Sequence, residues 1–119
     1  MIRLVLALTA LLLAVVPCEA ALKVIGKGAN VQLDTSGFPP QMQNAYNIMK
    51  VKCVKCHSLE WTIVALNTGI APISGQPFDR NAIRDYGNKM KRKPDSNMNY
   101  KEIKSVVELL NYLLTVASK

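Results

Sequence analysis

One short run of residues, Cys53-Val54-Lys55-Cys56-His57, constrains this chain more than any other feature. It has the C-x-x-C-H spacing at which a haem is attached covalently and its iron ligated. Cys53 and Cys56 would bond to the two vinyl groups along one porphyrin edge, and His57 would supply an imidazole nitrogen to the iron. The cofactor would then form part of the core, because its large apolar faces give short helices a surface on which to pack.

Two other readings of the motif were weighed. A thioredoxin-like redox pair needs a C-x-x-C at the start of a helix that follows a buried strand, and no Val/Ile-rich strand precedes Cys53. A zinc site needs four protein ligands, or three and a water. Beyond the first 20 residues the chain has only two Cys and one His, so Asp or Glu would have to complete such a site. The motif therefore favours one haem c.

Residues 1–20 have the pattern of a cleaved export signal. Arg3 provides a short basic start, residues 4–16 are apolar apart from Thr9, and Cys18-Glu19-Ala20 approximates a small-x-small cleavage site. The apolar run falls short of the ~20 residues that span a bilayer. We expect cleavage after Ala20, a periplasmic protein and no stable membrane insertion.

Cys18 leaves one alternative to a freely exported protein. A cysteine at the end of an apolar signal can become a lipid-modified N-terminus that tethers the mature chain to a membrane. Pro17 argues against this processing, because the lipobox pattern prefers a small residue such as Gly, Ala or Ser before the cysteine. We therefore expect Cys18 to leave with the signal.

The remaining residues suffice for one modest domain, which we predict over residues 39–119, after an extended arm over residues 21–38. The formal charge is +7, and much of this excess lies in two clusters, which are Lys50, Lys52 and Lys55, and Lys89, Lys91, Arg92 and Lys93. Such clusters suit docking to acidic protein surfaces, although a merely solvated surface would look the same. The sequence shows no nucleic-acid-binding motif, so we expect no nucleic acid partner.

Apolar periodicity predicts a mostly helical domain. Met42, Ala45, Tyr46 and Met49 mark a helix that begins near Pro39-Pro40 and ends at the haem motif. Residues 58–77 look mostly irregular, with a helical turn near residues 60–66.

A third segment is capped by Asp79 and closed by Pro94, with Ala82, Ile83, Tyr86 and Met90 on one face. The last helix starts at Asn99 and Glu102 and buries a stripe of Ile103, Val106, Val107, Leu110, Leu113 and Leu114. Residues 22–25 can pair as a short strand.

Five features follow one another along the chain, namely a signal peptide, a helix leading into C-x-x-C-H, a Gly/Pro loop, a Met, and a last helix ending Leu110-Asn111-Tyr112-Leu113. In this order they resemble the small monohaem class I c-type cytochromes. The resemblance covers roughly residues 40–116 and implies an all-α fold wrapped around one covalent haem. Gly and Phe are frequent in the family where this chain has Ala45 and Met49, so the contact between first and last helix must be repacked. Gly69-Ile70-Ala71-Pro72 is similar to the family loop whose proline carbonyl accepts from the haem histidine.

The sixth iron ligand decides between electron transfer and ligand chemistry, since a Met sulfur closes the site. Met42 and Met49 belong to the first helix and are expected in the core, which leaves Met90 and Met98. The resemblance favours Met90, because family members place the ligand about ten residues before the last helix. Met90 is also followed by Lys91-Arg92-Lys93-Pro94, as in some bacterial single-haem cytochromes.

We therefore expect a periplasmic one-electron carrier that makes and breaks no substrate bonds and is not an enzyme. The alternative is a haem-based small-ligand sensor or peroxidase with an open or labile sixth position. A third reading is a small subunit that acts only when docked to a larger oxidoreductase. Trp61 either packs on the haem or fills the loop core, and the oligomeric state does not follow from the sequence.

Overall fold

The computed structural model describes residues 22–53 and 58–118. Two short strands come first, β1 (Val24–Ile25) and β2 (Gln32–Leu33). Four helices follow, α1 (Pro40–Lys52), α2 (Leu59–Thr68), α3 (Arg80–Arg92) and α4 (Tyr100–Ala117). Short 3-10 turns lie at Gly28–Asn30 and Pro94–Ser96. The mostly helical architecture agrees with the predicted all-α class. The predicted signal peptide lies outside the described residues.

The N-terminal segment forms a small antiparallel ribbon. β1 pairs with β2, with Val24 opposite Leu33, so the strand predicted in residues 22–25 is confirmed over Val24–Ile25. Leu22, Val31 and Leu33 are buried in the core cluster. The backbone amide of Leu22 also donates to Asn67 Oδ1 of α2, at 3.1 Å. These contacts attach the segment to the helical core.

The predicted first helix is confirmed as α1, which begins with Pro40 at its first position and buries Ala45, Tyr46 and Met49. Proline suits this position because the first helical amides have no partner within the helix. α1 packs on α4, as predicted. α4 buries Ile103, Val106, Leu109, Leu110 and Leu113.

Tyr46 joins the strand ribbon to α1. Its hydroxyl accepts a hydrogen bond from the buried backbone amide of Leu33, at 2.8 Å. Burial raises the pKa of Tyr46 above its usual value, and this hydrogen bond opposes part of the rise. The aromatic side chain of α1 therefore satisfies a backbone donor that the strand pairing leaves open.

We expect Tyr46→Phe to lower the free energy of unfolding by about 1–3 kcal/mol, because the Leu33 amide would stay buried without an acceptor. Urea unfolding monitored by circular dichroism measures the change. Tyr112→Phe is a matched control. The Tyr112 ring meets the Phe38 ring edge-on, with 5.4 Å between the ring centroids, and the substitution keeps that ring. Equal losses in the two variants would contradict this role of Tyr46.

The expectation that residues 58–77 are mostly irregular is wrong for its first half. Residues Leu59–Thr68 form α2, which buries Leu59, Ile63, Ala65 and Leu66 against the core. Leucine and isoleucine at positions 59, 63 and 66 follow the helical repeat, and this signal outweighs the glycines and prolines that come later. Gly69, with a φ of 70°, ends the helix in the left-handed conformation.

The last two helices begin at the predicted caps. Asp79 Oδ1 accepts from the Ala82 amide at 2.9 Å, and Asn99 and Glu102 form a reciprocal capping box. α3 packs on α4. At Gly87 the two helices approach so closely that a Cβ there would lie 2.7 Å from Val107 Cγ2. None of the helices in residues 22–53 and 58–118 has the length and apolar character needed to cross a bilayer.

Candidate functional site

Cys53 lies directly after α1, at its C-terminal cap. Its backbone amide donates to the Met49 carbonyl, and the residue is 7% exposed. The first cysteine of the C-x-x-C-H sequence is therefore held by the end of a packed helix. Val54, Lys55, Cys56 and His57 lie outside the described residues, so the predicted roles of Cys56 and His57 stay predictions.

An apolar cleft with a volume of about 220 Å³ opens beside Cys53. Residues from all the helices and from the loop between α2 and α3 line it, namely Met49, Cys53, Trp61, Thr62, Ala65, Ala71, Pro72, Ile73, Ser74, Phe78, Tyr86, Val106 and Leu110. Nearly every side chain of this set is apolar or aromatic. The cleft is suited to an apolar ligand or to the apolar part of a larger one.

The rim of this cleft carries large apolar side chains that are exposed. Trp61 is 46% exposed and Ile73 is 86% exposed. Backbone hydrogen bonds connect the two ends of the loop that contains Ile73. The Ala71 amide donates to the Gln76 carbonyl and the Phe78 amide donates to the Gly69 carbonyl, each at 2.8 Å. Exposed apolar groups at the mouth of an apolar cleft indicate a surface that a ligand or partner covers.

A second, small cavity of about 10 Å³ is also lined by Cys53. We call it the methionine cavity, and its lining is Cys53, Tyr86, Gly87, Met90, Met98, Ile103, Val106 and Val107. Cys53, Tyr86 and Val106 line both this cavity and the apolar cleft. The structure thus brings Cys53 and Met90 to one cavity, and the role of Met90 as an iron ligand stays a prediction. It brings Met98 to the same place, so proximity alone does not choose between the two sulfurs.

Members of both basic clusters also meet at one surface. Lys52, Lys91 and Lys93 line a shallow depression that includes Met98. Lys91 lies over the Tyr100 ring with its ammonium 5.0 Å from the ring centroid, and Lys50 lies over Tyr46 at 5.3 Å. Three lysines from clusters that are separate in sequence therefore line one depression, which shares Met98 with the methionine cavity.

No family model, no curated protein and no solved structure matches this chain. The residues themselves are therefore the basis for a functional assignment.

Aromatic residues around the cleft were not predicted as site residues. Tyr86 was expected on the inner face of its helix, but its place between the two cavities follows only from how α3 packs on α4. Phe78 immediately precedes the Asp79 cap, a position that would suit an apolar residue packed at a helix start. Trp61 lines the cleft rather than filling the loop core. This position could be predicted only if residues 59–68 were recognised as the helix α2.

Proposed function

We propose that this protein is an exported, periplasmic one-electron carrier that holds a single haem c. The observation that carries the proposal is the position of Cys53. This first cysteine of a C-x-x-C-H motif lines both an apolar cleft and a small cavity that contains two methionines. A covalent haem with His/Met ligation needs an anchoring cysteine, apolar surroundings for its faces and a methionine sulfur within reach of the iron.

The residues present fit such a group. The cleft is lined almost wholly by apolar and aromatic side chains, and the exposed Trp61 and Ile73 at its mouth would lose solvent contact against a porphyrin face. Cys53 and Cys56 would form the thioethers, and His57 would hold the iron through a ring nitrogen. Pro72 lines the cleft in the loop that the family resemblance assigns to the histidine's hydrogen-bond acceptor.

The sixth ligand in this proposal is the sulfur of Met90. When bound, haem supplies an iron that changes by one electron between its ferric and ferrous states. Met90 and the packed residues around it would keep water and small ligands from the iron, so the protein would exchange electrons without making or breaking substrate bonds. It would therefore not be an enzyme.

The partners in this proposal are redox proteins with acidic docking surfaces. The depression that includes Met98 is lined by three lysines, Lys52, Lys91 and Lys93, and by one carboxylate, that of Glu102, so its net charge is positive. Long-range attraction between opposite charges speeds encounter and weakens with salt. Such docking supports rapid association and release, which a shuttling carrier needs.

A redox titration of the haem-loaded mature protein tests this function. We expect one reversible one-electron transition, a low-spin spectrum in both states, and no spectral change when carbon monoxide is added to the reduced protein. A high-spin spectrum that shifts with carbon monoxide or cyanide would contradict the carrier. It would favour the sensor or peroxidase alternative, in which the sixth position is open.

A further inference from the structure

The Lys52 side chain links two parts of the chain that are far apart in sequence. It is the last residue of α1 and directly precedes Cys53. Its ammonium group donates to the backbone carbonyl of Asn97, and Nζ also lies 3.4 Å from Glu102 Oε2. The side chain thus connects the helix that ends at the haem motif with the segment between α3 and α4.

The surroundings of this ion pair differ from those of a solvated surface pair. The side chains of Lys52 and Glu102 are 22% and 23% exposed, whereas those of Lys104 and Glu108 are 65% and 41% exposed. Solvent-exposed pairs contribute little because water screens them. A more enclosed charge that also donates to a backbone carbonyl makes a stronger contact.

The hydrogen bonds made by the Lys52 and Glu102 side chains lie on both sides of Met98 in the chain. Lys52 holds the Asn97 carbonyl before it, and Glu102 Oε2 accepts from the Asn99 amide after it, at 3.0 Å. Asn97 has a φ of 52°, in the left-handed region that asparagine adopts more readily than other non-glycine residues. Met98 follows it directly and lines the methionine cavity.

We propose that Lys52 is a positioning residue that keeps the methionine cavity closed beside Cys53. The inference rests on the proposed function, because the closed cavity matters as the environment of the sixth iron position. Without the ammonium group, the segment carrying Met98 would lose its contact with α1 and move outward more readily. The sixth position would then admit outside ligands that the wild-type protein resists.

Binding of imidazole to the oxidised, haem-loaded mature protein tests the inference. We expect Lys52→Met to bind imidazole about tenfold more tightly than wild type, in line with the loss of a charged hydrogen bond. Lys52→Arg should restore near wild-type affinity because it keeps the charge and can donate to the Asn97 carbonyl. Lys50→Met is the matched control, since it removes the same charge from the same helix but Lys50 contacts Tyr46 instead.

Amide hydrogen exchange of residues 95–99 in the same variants provides the second measurement. Faster exchange in Lys52→Met together with tighter imidazole binding supports the inference. Unchanged imidazole affinity in Lys52→Met, or an equal change in Lys50→Met, would overturn it and leave the electron carrier intact. A wild-type protein without covalent haem would overturn the proposed function itself and this inference with it.

Discussion

Replacing Met90 with alanine is expected to abolish the near-infrared absorption band that a methionine sulfur produces on ferric haem iron. Loss of the sulfur leaves the sixth position to water or an outside ligand, because alanine has no donor atom. The reduction potential should fall as well, since a sulfur ligand raises it. Oxidised and reduced spectra of the haem-loaded variant measure both effects.

Met98→Ala is the matched control for this prediction. Both methionines line the same cavity beside Cys53, and both are half-buried. Met98 lies between the contacts made by Lys52 and Glu102, which suits a residue of the cavity wall. We expect Met98→Ala to keep the band. A band that survives in Met90→Ala and disappears in Met98→Ala would assign the sixth position to Met98 instead.

Replacing Leu109 with alanine is expected to lower the free energy of unfolding by about 2–5 kcal/mol. Leu109 is 0% exposed and belongs to the core cluster, on the helix that packs against α1 and α3. Deleting its buried methyl groups removes apolar burial and leaves a cavity that neighbouring side chains fill only partly. Denaturant unfolding of the wild-type and variant proteins measures the difference.

Leu114→Ala tests whether burial is the cause of the Leu109 effect. Leu114 lies on the same helix and is only partly buried, so its truncation should cost well under half as much. Equal losses at the two positions would contradict the packing described for α4. Retained helical circular dichroism in both variants would show that each still folds.

The helices with strong caps and repeating apolar positions could be predicted from the sequence. The Asp79 cap, the Asn99–Glu102 capping box and the buried face of α1 all appear where local pattern indicates them. These features depend on residues within one or two turns of each other, so they can be read without knowing the fold.

The parts that could not be predicted depend on long-range packing. The sequence predicts only a helical turn near residues 60–66 where α2 forms about three turns, because glycines and prolines follow it closely. Leu109 was left out of the α4 stripe because its burial requires the contacts that α4 makes with more than one helix. The position of Met98 beside Met90 likewise depends on the segment held by Lys52, a contact between residues 45 positions apart in the chain.

Covalent attachment of one haem is tested by the mass of the mature protein after coexpression with haem attachment machinery and full denaturation. We predict a mass increase equal to one haem in the wild-type protein, and no retained haem in the variant Cys53→Ala with Cys56→Ala. A wild-type protein that folds with its cleft intact but carries no covalent haem would contradict the central claim.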